Sequence, residues 1–244
     1  MPRTVDAAPS RVESGVPGFD PLVEGGLPEG RGHVVSGPPG SGKTTFCTQF
    51  LTKGATTGEF GLLLSVHETE SQLLEDMGRY DFRLPEAVKA DRLRFVNVFS
   101  DRGRRLINRA ERKGAPGVDL EQLATELNSI VGSNDIDRLV VDSTMLLDRM
   151  FPEADGAVEE FVTALKQVDA TTLLISEMTD PSAYAPEHYL AHGVLFFHNY
   201  LDGDEMSRGL QLLKMRGTAI DCSVRPLSFD DRGVVVDPDG RVSF

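Results

Sequence analysis

A glycine-rich octapeptide lies between a short apolar strand and a helical pattern. It fits G-x-x-x-x-G-K-[S/T] in full, with Gly37, Pro38, Pro39, Gly40, Ser41, Gly42, Lys43 and Thr44. Glycines allow backbone conformations that turn successive N–H groups toward one anion, and the positive end of the following helix faces the same point. The octapeptide therefore predicts a phosphate-binding loop for ATP, with GTP as the alternative.

Individual roles follow from the chemistry of such loops. Lys43 is expected to reach the β- and γ-phosphates, the Thr44 hydroxyl to hold Mg²⁺, and Thr45 to belong to the nucleotide-binding set. Asp142 ends an apolar strand downstream, where an acidic residue beside the loop holds the metal. An aspartate at a strand end is often only a helix cap. The complete loop upstream is what favours the metal-binding role.

The order of the elements indicates the fold class. We expect strands at 33–36, 61–66, 93–98, 139–141 and 171–176, helices at 42–53, 71–77, 118–131 and 157–168, and only strand-like pieces after 193. This order predicts an α/β fold with a mainly parallel central sheet, flanking helices and antiparallel strands at the C-terminal end. Because 244 residues can bury one core, we expect an N-terminal tail over 1–13 and a single domain over 14–244.

Several further stretches resemble the RecA-type ATPases, specifically the branch around the clock protein KaiC and archaeal RadA-like proteins. They lie at 14–20 (SGVPGFD), 25–30 (GGLPEG), 64–69 (LSVHET) and 214–218 (KMRGT). The matches keep their order along nearly the whole chain. The resemblance implies a RecA-type fold, ATP with Mg²⁺, and a homo-oligomer in which ATP lies between subunits. That oligomer would be a ring, such as a hexamer, or a filament.

The same resemblance implies roles for residues outside the phosphate loop. Lys214 and Arg216 would act in trans on the γ-phosphate of a neighbour's nucleotide, as arginine fingers do. The ordinary alternative is two charges that share one face of an antiparallel strand. Residues 67 and 68 occupy the place of the family's catalytic acid, but this chain has His67 followed by Glu68. We favour Glu68 as the group that orients and deprotonates water. Glu177, just past the strand at 171–176, could be a sensor of the γ-phosphate, but loops commonly place acidic residues at such positions.

Charge and composition indicate which classes of partner and which cellular location to expect. The net charge of −13 argues against a protein that mainly coats nucleic acid. Only six of the 25 basic residues are lysines, and this acidic, lysine-poor composition predicts a salt-adapted, haloarchaeal protein, with an ordinary acidic protein as the alternative. A basic run at 102–113 could contact DNA or an acidic partner, or could be a solvated helix.

No apolar run reaches the roughly 20 residues of a membrane span, and a cytoplasmic location is expected.

These features predict a Mg²⁺-dependent ATPase with neighbour-shared sites, serving as a regulatory or signalling oligomer. One alternative is a recombinase accessory protein that binds DNA or a RadA-like partner. Another is a nucleotide switch that binds ATP without hydrolysing it. A true clock kinase is disfavoured, because that resemblance calls for two tandem domains and a phosphorylated tail.

Overall fold

The computed structural model describes residues 10–65, 68–97, 120–144 and 156–242. The strands are β1 (Arg11–Val12), β2 (Leu27–Pro28), β3 (Gly32–Ser36), β4 (Gly61–Ser65), β5 (Leu93–Asn97), β6 (Arg138–Asp142), β7 (Thr171–Ser176), β8 (Gly193–Asp202), β9 (Glu205–Met215), β10 (Arg225–Asp230) and β11 (Gly233–Val236). The helices are α1 (Lys43–Thr57), α2 (Glu70–Met77), α3 (Leu84–Lys89), α4 (Leu120–Ser133), α5 (Ala157–Leu165) and α6 (Pro186–Leu190).

The main sheet has nine strands within these ranges, in the order β11-β10-β9-β8-β3-β7-β6-β4-β5. Strands β8, β3, β7, β6, β4 and β5 run parallel, and β9, β10 and β11 extend the sheet in antiparallel fashion. This arrangement confirms the predicted fold class. Every residue of β4, β6 and β7 is buried, as expected for parallel strands covered on both faces.

Two apolar cores cover the two faces of the sheet. One core packs α1, α2 and α3 against the sheet, and Phe46 of α1 meets Phe19 and Phe197 edge-on, with ring centroids 5.0 and 5.4 Å apart. The other core contains α4 and α5, with α6 packed beside α5. The parallel strands are thereby held in register, so that the ends of β3, β7, β6 and β4 share one edge.

Strand β11 forms one edge of the sheet, and α1 closes that edge. The buried Gln49 side chain accepts a hydrogen bond from the Val234 N–H (2.8 Å) and donates to the Val234 carbonyl (3.1 Å) and the Arg232 carbonyl (3.1 Å). The Val236 N–H donates to the Pro17 carbonyl at 2.9 Å. Helix α1 and the β10–β11 hairpin are therefore tied together by polar contacts as well as by packing.

The predicted elements agree with the structure apart from their ends. The helix predicted over 118–131 spans Leu120–Ser133, and the helix predicted over 157–168 ends at Leu165. The short helices α3 and α6 were not predicted. Residues 66, 67 and 98 and the basic run at 102–113 lie outside the described residues. Among the helices that the structure describes, none has the length and apolarity needed to cross a bilayer.

Candidate functional site

The octapeptide forms the connection between β3 and α1. Gly37 has φ of 146°, and a Cβ there would lie 2.3 Å from the Phe197 carbonyl oxygen. Gly42, directly before the helix, has φ of 105°. Residues that have a side chain rarely adopt such φ angles, so glycine is needed at both positions. The loop thus presents backbone N–H groups and a helix N-terminus at the edge where the parallel strands end, the usual ligand site of open α/β sheets.

Lys43 lies inside this loop. Its side chain is only 6% exposed, and its Nζ donates to the Gly37 carbonyl at 2.6 Å and the Pro38 carbonyl at 3.0 Å. The same Nζ lies 3.5 Å from a carboxylate oxygen of Glu177, the residue that follows β7. The loop therefore positions a buried ammonium group at the point where phosphates would bind, with a carboxylate beside it.

Thr44 and Asp142 form the second pair of the site. The Thr44 hydroxyl donates to Asp142 Oδ2 at 3.0 Å, and Asp142 is the buried last residue of β6. Hydroxyl and carboxylate oxygens suit Mg²⁺, which keeps several waters and uses few protein ligands beside substrate phosphates. The described residues contain no cluster of three or more potential metal-ligating side chains. The pair accordingly fits a nucleotide-bound Mg²⁺ better than a metal held by protein alone.

Glu68 is held near this edge by its backbone. Its N–H donates to the Ser65 hydroxyl at 3.1 Å, and its carbonyl accepts from the Asn97 side chain at 2.9 Å. Burial raises the pKa of the Glu68 carboxyl, and the charges of Asp142 and Asp76 raise it further. His67 lies outside the described residues, so the choice between His67 and Glu68 stays a prediction.

A cavity of about 460 Å³ opens beside the loop, lined by loop residues, Glu177 and Phe229. Phe229 of β10 approaches Gly42 so closely that a Cβ there would lie 2.9 Å from the ring. The Arg208 guanidinium lies 5.2 Å from the Phe229 ring centroid, and its Nε donates to the Gly40 carbonyl at 3.0 Å. No sequence pattern indicates either residue, because the C-terminal strands must fold back over the loop to bring them there.

A larger cavity of about 970 Å³ lies elsewhere, between α4, α5 and α6. Its lining includes Glu159 and Glu160 and no basic residue among those described. Acidic groups repel phosphates, so this cavity is a poor nucleotide site despite its size. The cavity at the loop is smaller but has the charged groups that a nucleotide requires.

Lys214 and Arg216 contact α6 rather than the phosphate loop. Lys214 Nζ donates to the His188 and Tyr189 carbonyls, both at 2.9 Å, and Arg216 Nη2 donates to the Tyr189 carbonyl at 3.0 Å. Burial lowers the pKa of Lys214, and the nearby positive charges of Arg216 and Lys166 lower it further. The structure thus brings Lys43, Thr44, Asp142 and Glu177 together within the chain, whereas Lys214 and Arg216 face away from that group.

A loop of this pattern between β3 and α1, with an acidic strand end beside it, is the arrangement of the nucleotide-binding α/β class. Residues 12–241 match the KaiC ATPase family, and the chain belongs to this family. A clock oscillator protein KaiC from Prochlorococcus marinus is 27% identical over 240 residues, which cover 95% of this chain and 47% of that protein. The chain spans about half the length of such clock-protein relatives.

Two relatives match over nearly their full length. A UPF0273 protein from Thermotoga maritima is 28% identical over 233 residues, which are 93% of this chain and 96% of that protein. The crystal structure of a KaiC-like protein from Pyrococcus horikoshii aligns with a TM-score of 0.75 and 27% identity, covering 94% of this chain and 99% of the other. These comparisons confirm the KaiC-like family and the RecA-type fold, whereas the RadA-like resemblance and the haloarchaeal source stay predictions.

Proposed function

We propose that this protein binds and hydrolyses ATP with Mg²⁺ at sites that a neighbouring copy completes, and that it acts as a regulatory oligomer. The observation that carries the proposal is the buried Lys43 ammonium group in the phosphate loop, beside the Thr44–Asp142 oxygen pair. Within the described residues this cation contacts two carbonyls and one carboxylate, and it can exchange these partners for phosphate oxygens.

Each residue then has a defined task. Lys43 and the loop N–H groups would bind the β- and γ-phosphates, and Thr44 and Asp142 would hold Mg²⁺, which neutralises charge on those phosphates. Glu68 would orient the attacking water and accept its proton, a role that its raised pKa favours at neutral pH. Phe229 offers an apolar ring surface at the cavity, suited to one face of the base.

The shared-site part of the proposal rests on Lys214 and Arg216. Since both side chains contact α6 and face away from their own loop, they would act on the nucleotide of a second copy. The acidic, lysine-poor composition indicates a protein adapted to high salt. At high salt the repulsion between acidic copies is screened, which would allow them to assemble.

Mixing variants tests this arrangement. Lys43→Ala should abolish tight ATP binding, and Lys214→Ala should bind ATP but lose most hydrolysis. Mixed together, the two should regain phosphate release, because Lys43→Ala subunits supply intact Lys214 to the neighbouring loops. The matched control replaces Lys43→Ala with the double variant Lys43→Ala/Lys214→Ala, which should restore nothing. Equal phosphate release in both mixtures would contradict the shared site.

A nucleotide switch without hydrolysis is the second candidate, and His67 at the place of a family glutamate is the observation that favours it. In that case the wild type binds ATP but releases no phosphate above background. His67→Glu, which restores paired glutamates, would then turn hydrolysis on. Phosphate release from wild type, Glu68→Gln and His67→Glu, with ATP binding measured on the same samples, separates the enzyme from the switch.

A further inference from the structure

Helix α6 lies between the side chains of Lys214 and Arg216 and the phosphate loop. On one side, Lys214 and Arg216 donate to the His188 and Tyr189 carbonyls near the C-terminal end of the helix. The last carbonyls of a helix lack partners within it and carry partial negative charge, so cations stabilise that end. The position of α6 therefore depends on where these two side chains are engaged.

On the other side, two buried side chains of α6 bind the ends of neighbouring strands. His188, only 2% exposed, accepts a hydrogen bond at Nδ1 from the Ala185 N–H (2.9 Å). Its Nε2 therefore carries the proton in the neutral ring and donates to the Ser36 hydroxyl at 2.7 Å. Burial lowers the pKa of His188 and so favours this neutral form. Glu187, 5% exposed, accepts from the Ser176 hydroxyl at 2.9 Å.

The two serines are the last residues of β3 and β7 and are register partners in the sheet. Ser36 directly precedes Gly37, whose carbonyl binds Lys43, and Ser176 directly precedes Glu177, whose carboxylate faces Lys43. Through four hydrogen-bonding side chains, α6 is thus connected to both groups that position the Lys43 ammonium group. A shift of α6 would displace them together.

We propose that His188 and Glu187 are positioning residues that couple Lys214 and Arg216 to the phosphate loop of their own subunit. The inference rests on the proposed function, in which these cations leave α6 to bind a neighbour's γ-phosphate. The carbonyls of α6 then lose their charged donors, the helix shifts, and Ser36 and Ser176 follow. ATP bound at one site thereby lowers the affinity of the next site around the assembly.

The test isolates a subunit's own loop from its neighbours. A small fraction of labelled subunits, either wild type or Lys214→Met, is mixed with excess Lys43→Ala subunits that bind no ATP but supply intact Lys214. Binding of a fluorescent, non-hydrolysable ATP analogue is then measured on the label. Because methionine cannot hold the carbonyls of α6, we expect the labelled Lys214→Met subunits to bind about three- to tenfold more weakly than labelled wild type. Equal or tighter binding would overturn the coupling.

Substitutions at position 188 show whether the effect passes through His188. His188→Asn retains an acceptor for the Ala185 N–H but cannot reach Ser36, whereas His188→Gln places its amide N–H near the original Nε2. Because the hydrogen bond between Glu187 and Ser176 connects α6 to the site in parallel, the effect of Lys214→Met should shrink in a His188→Asn background and remain in a His188→Gln background. Ser36→Ala removes the same hydrogen bond from the other side and should shrink the effect equally, so it replaces His188→Asn if that variant does not fold. A Lys214→Met effect that is undiminished in both the His188→Asn and the Ser36→Ala backgrounds would refute the relay.

Failure of the shared site gives a different result. If copies do not assemble, the labelled subunits bind the analogue identically with and without Lys43→Ala subunits. The comparison of wild type with Lys214→Met then still tests the relay within one chain, since every contact in it is intramolecular.

Discussion

The contact between Lys43 and Glu177 predicts that removing a negative charge will strengthen nucleotide binding. The Glu177 carboxylate lies 3.5 Å from Lys43 Nζ, and it would also lie next to phosphates bound in the loop. Glu177→Gln keeps the size and hydrogen-bonding capacity of the side chain. It removes an attraction that competes with ATP for Lys43, and a repulsion that opposes the bound phosphates.

The magnitude follows from distance and exposure. Two unit charges 3.5 Å apart interact by about 1 kcal/mol in water and about 5 kcal/mol at an effective dielectric constant of 20. Lys43 is buried, but the Glu177 side chain is 34% exposed and hydrated, which places the pair near the lower value, as for most measured surface pairs. About 1 kcal/mol corresponds to roughly fivefold tighter binding.

Titration of a fluorescent ATP analogue at constant Mg²⁺ measures this change, and the gain should shrink as added salt screens the charges. Glu86→Gln is the matched control, because Glu86 is an exposed acid on α3 and its loss changes the net charge equally. Its affinity should equal that of the wild type. If Glu177→Gln binds no more tightly than this control, the carboxylate does not compete for Lys43, and the reasoning is wrong.

Three further predictions concern turnover, stability and nucleic acid. Glu68→Gln should keep ATP binding but lower phosphate release about 10²- to 10⁴-fold. Only the ionised carboxylate accepts a proton, and the pKa of Glu68 is raised. As the pH is lowered, wild-type turnover should therefore begin to fall at a higher pH than an ordinary glutamate would give, which a pH–rate profile checks. Arg138→Met should lower the free energy of unfolding by about 2–4 kcal/mol, because the 3%-exposed guanidinium group binds two carbonyls at 2.7 Å and pairs with Glu59. Arg92→Met, which removes one exposed hydrogen bond and a cation–π contact with Phe60, should cost about 1 kcal/mol or less in the same denaturant titration. Direct DNA binding should be weak and fall steeply with salt, so tight, salt-resistant binding to single-stranded DNA would favour the recombinase accessory function.

The long apolar strands and the glycine-rich loop were predictable because their signals are local. Continuous apolar runs such as 61–65 can only be buried strands or helix segments, and the loop pattern fixed which edge of the sheet would bind phosphate. Helices α3 and α6 span six and five residues, too few to show a helical period. Their positions are set by tertiary contacts, such as those between Lys214 and the carbonyls of α6.

The candidate site divides in the same way. Lys43, Thr44 and Asp142 could be named because a short pattern and a strand end specify them. Arg208 and Phe229 could not, because each contacts the loop across more than 160 positions of sequence, and neither residue belongs to a pattern. The contacts of Lys214 and Arg216 with α6 could not be predicted either, since the sequence indicated only that both charges share one face of a strand.

The hydrogen bonds of Gln49 to β11 restrict how a second copy of this chain could bind at that edge of the sheet. A side-chain amide that both accepts from and donates to the Val234 backbone occupies the place of a further strand, and Pro17 occupies the next position along the edge. A strand from another molecule could pair there only by displacing these groups, so the sheet does not grow past β11 into continuous intermolecular sheets. A second copy that approached this edge would therefore have to contact it through side chains and not by strand addition.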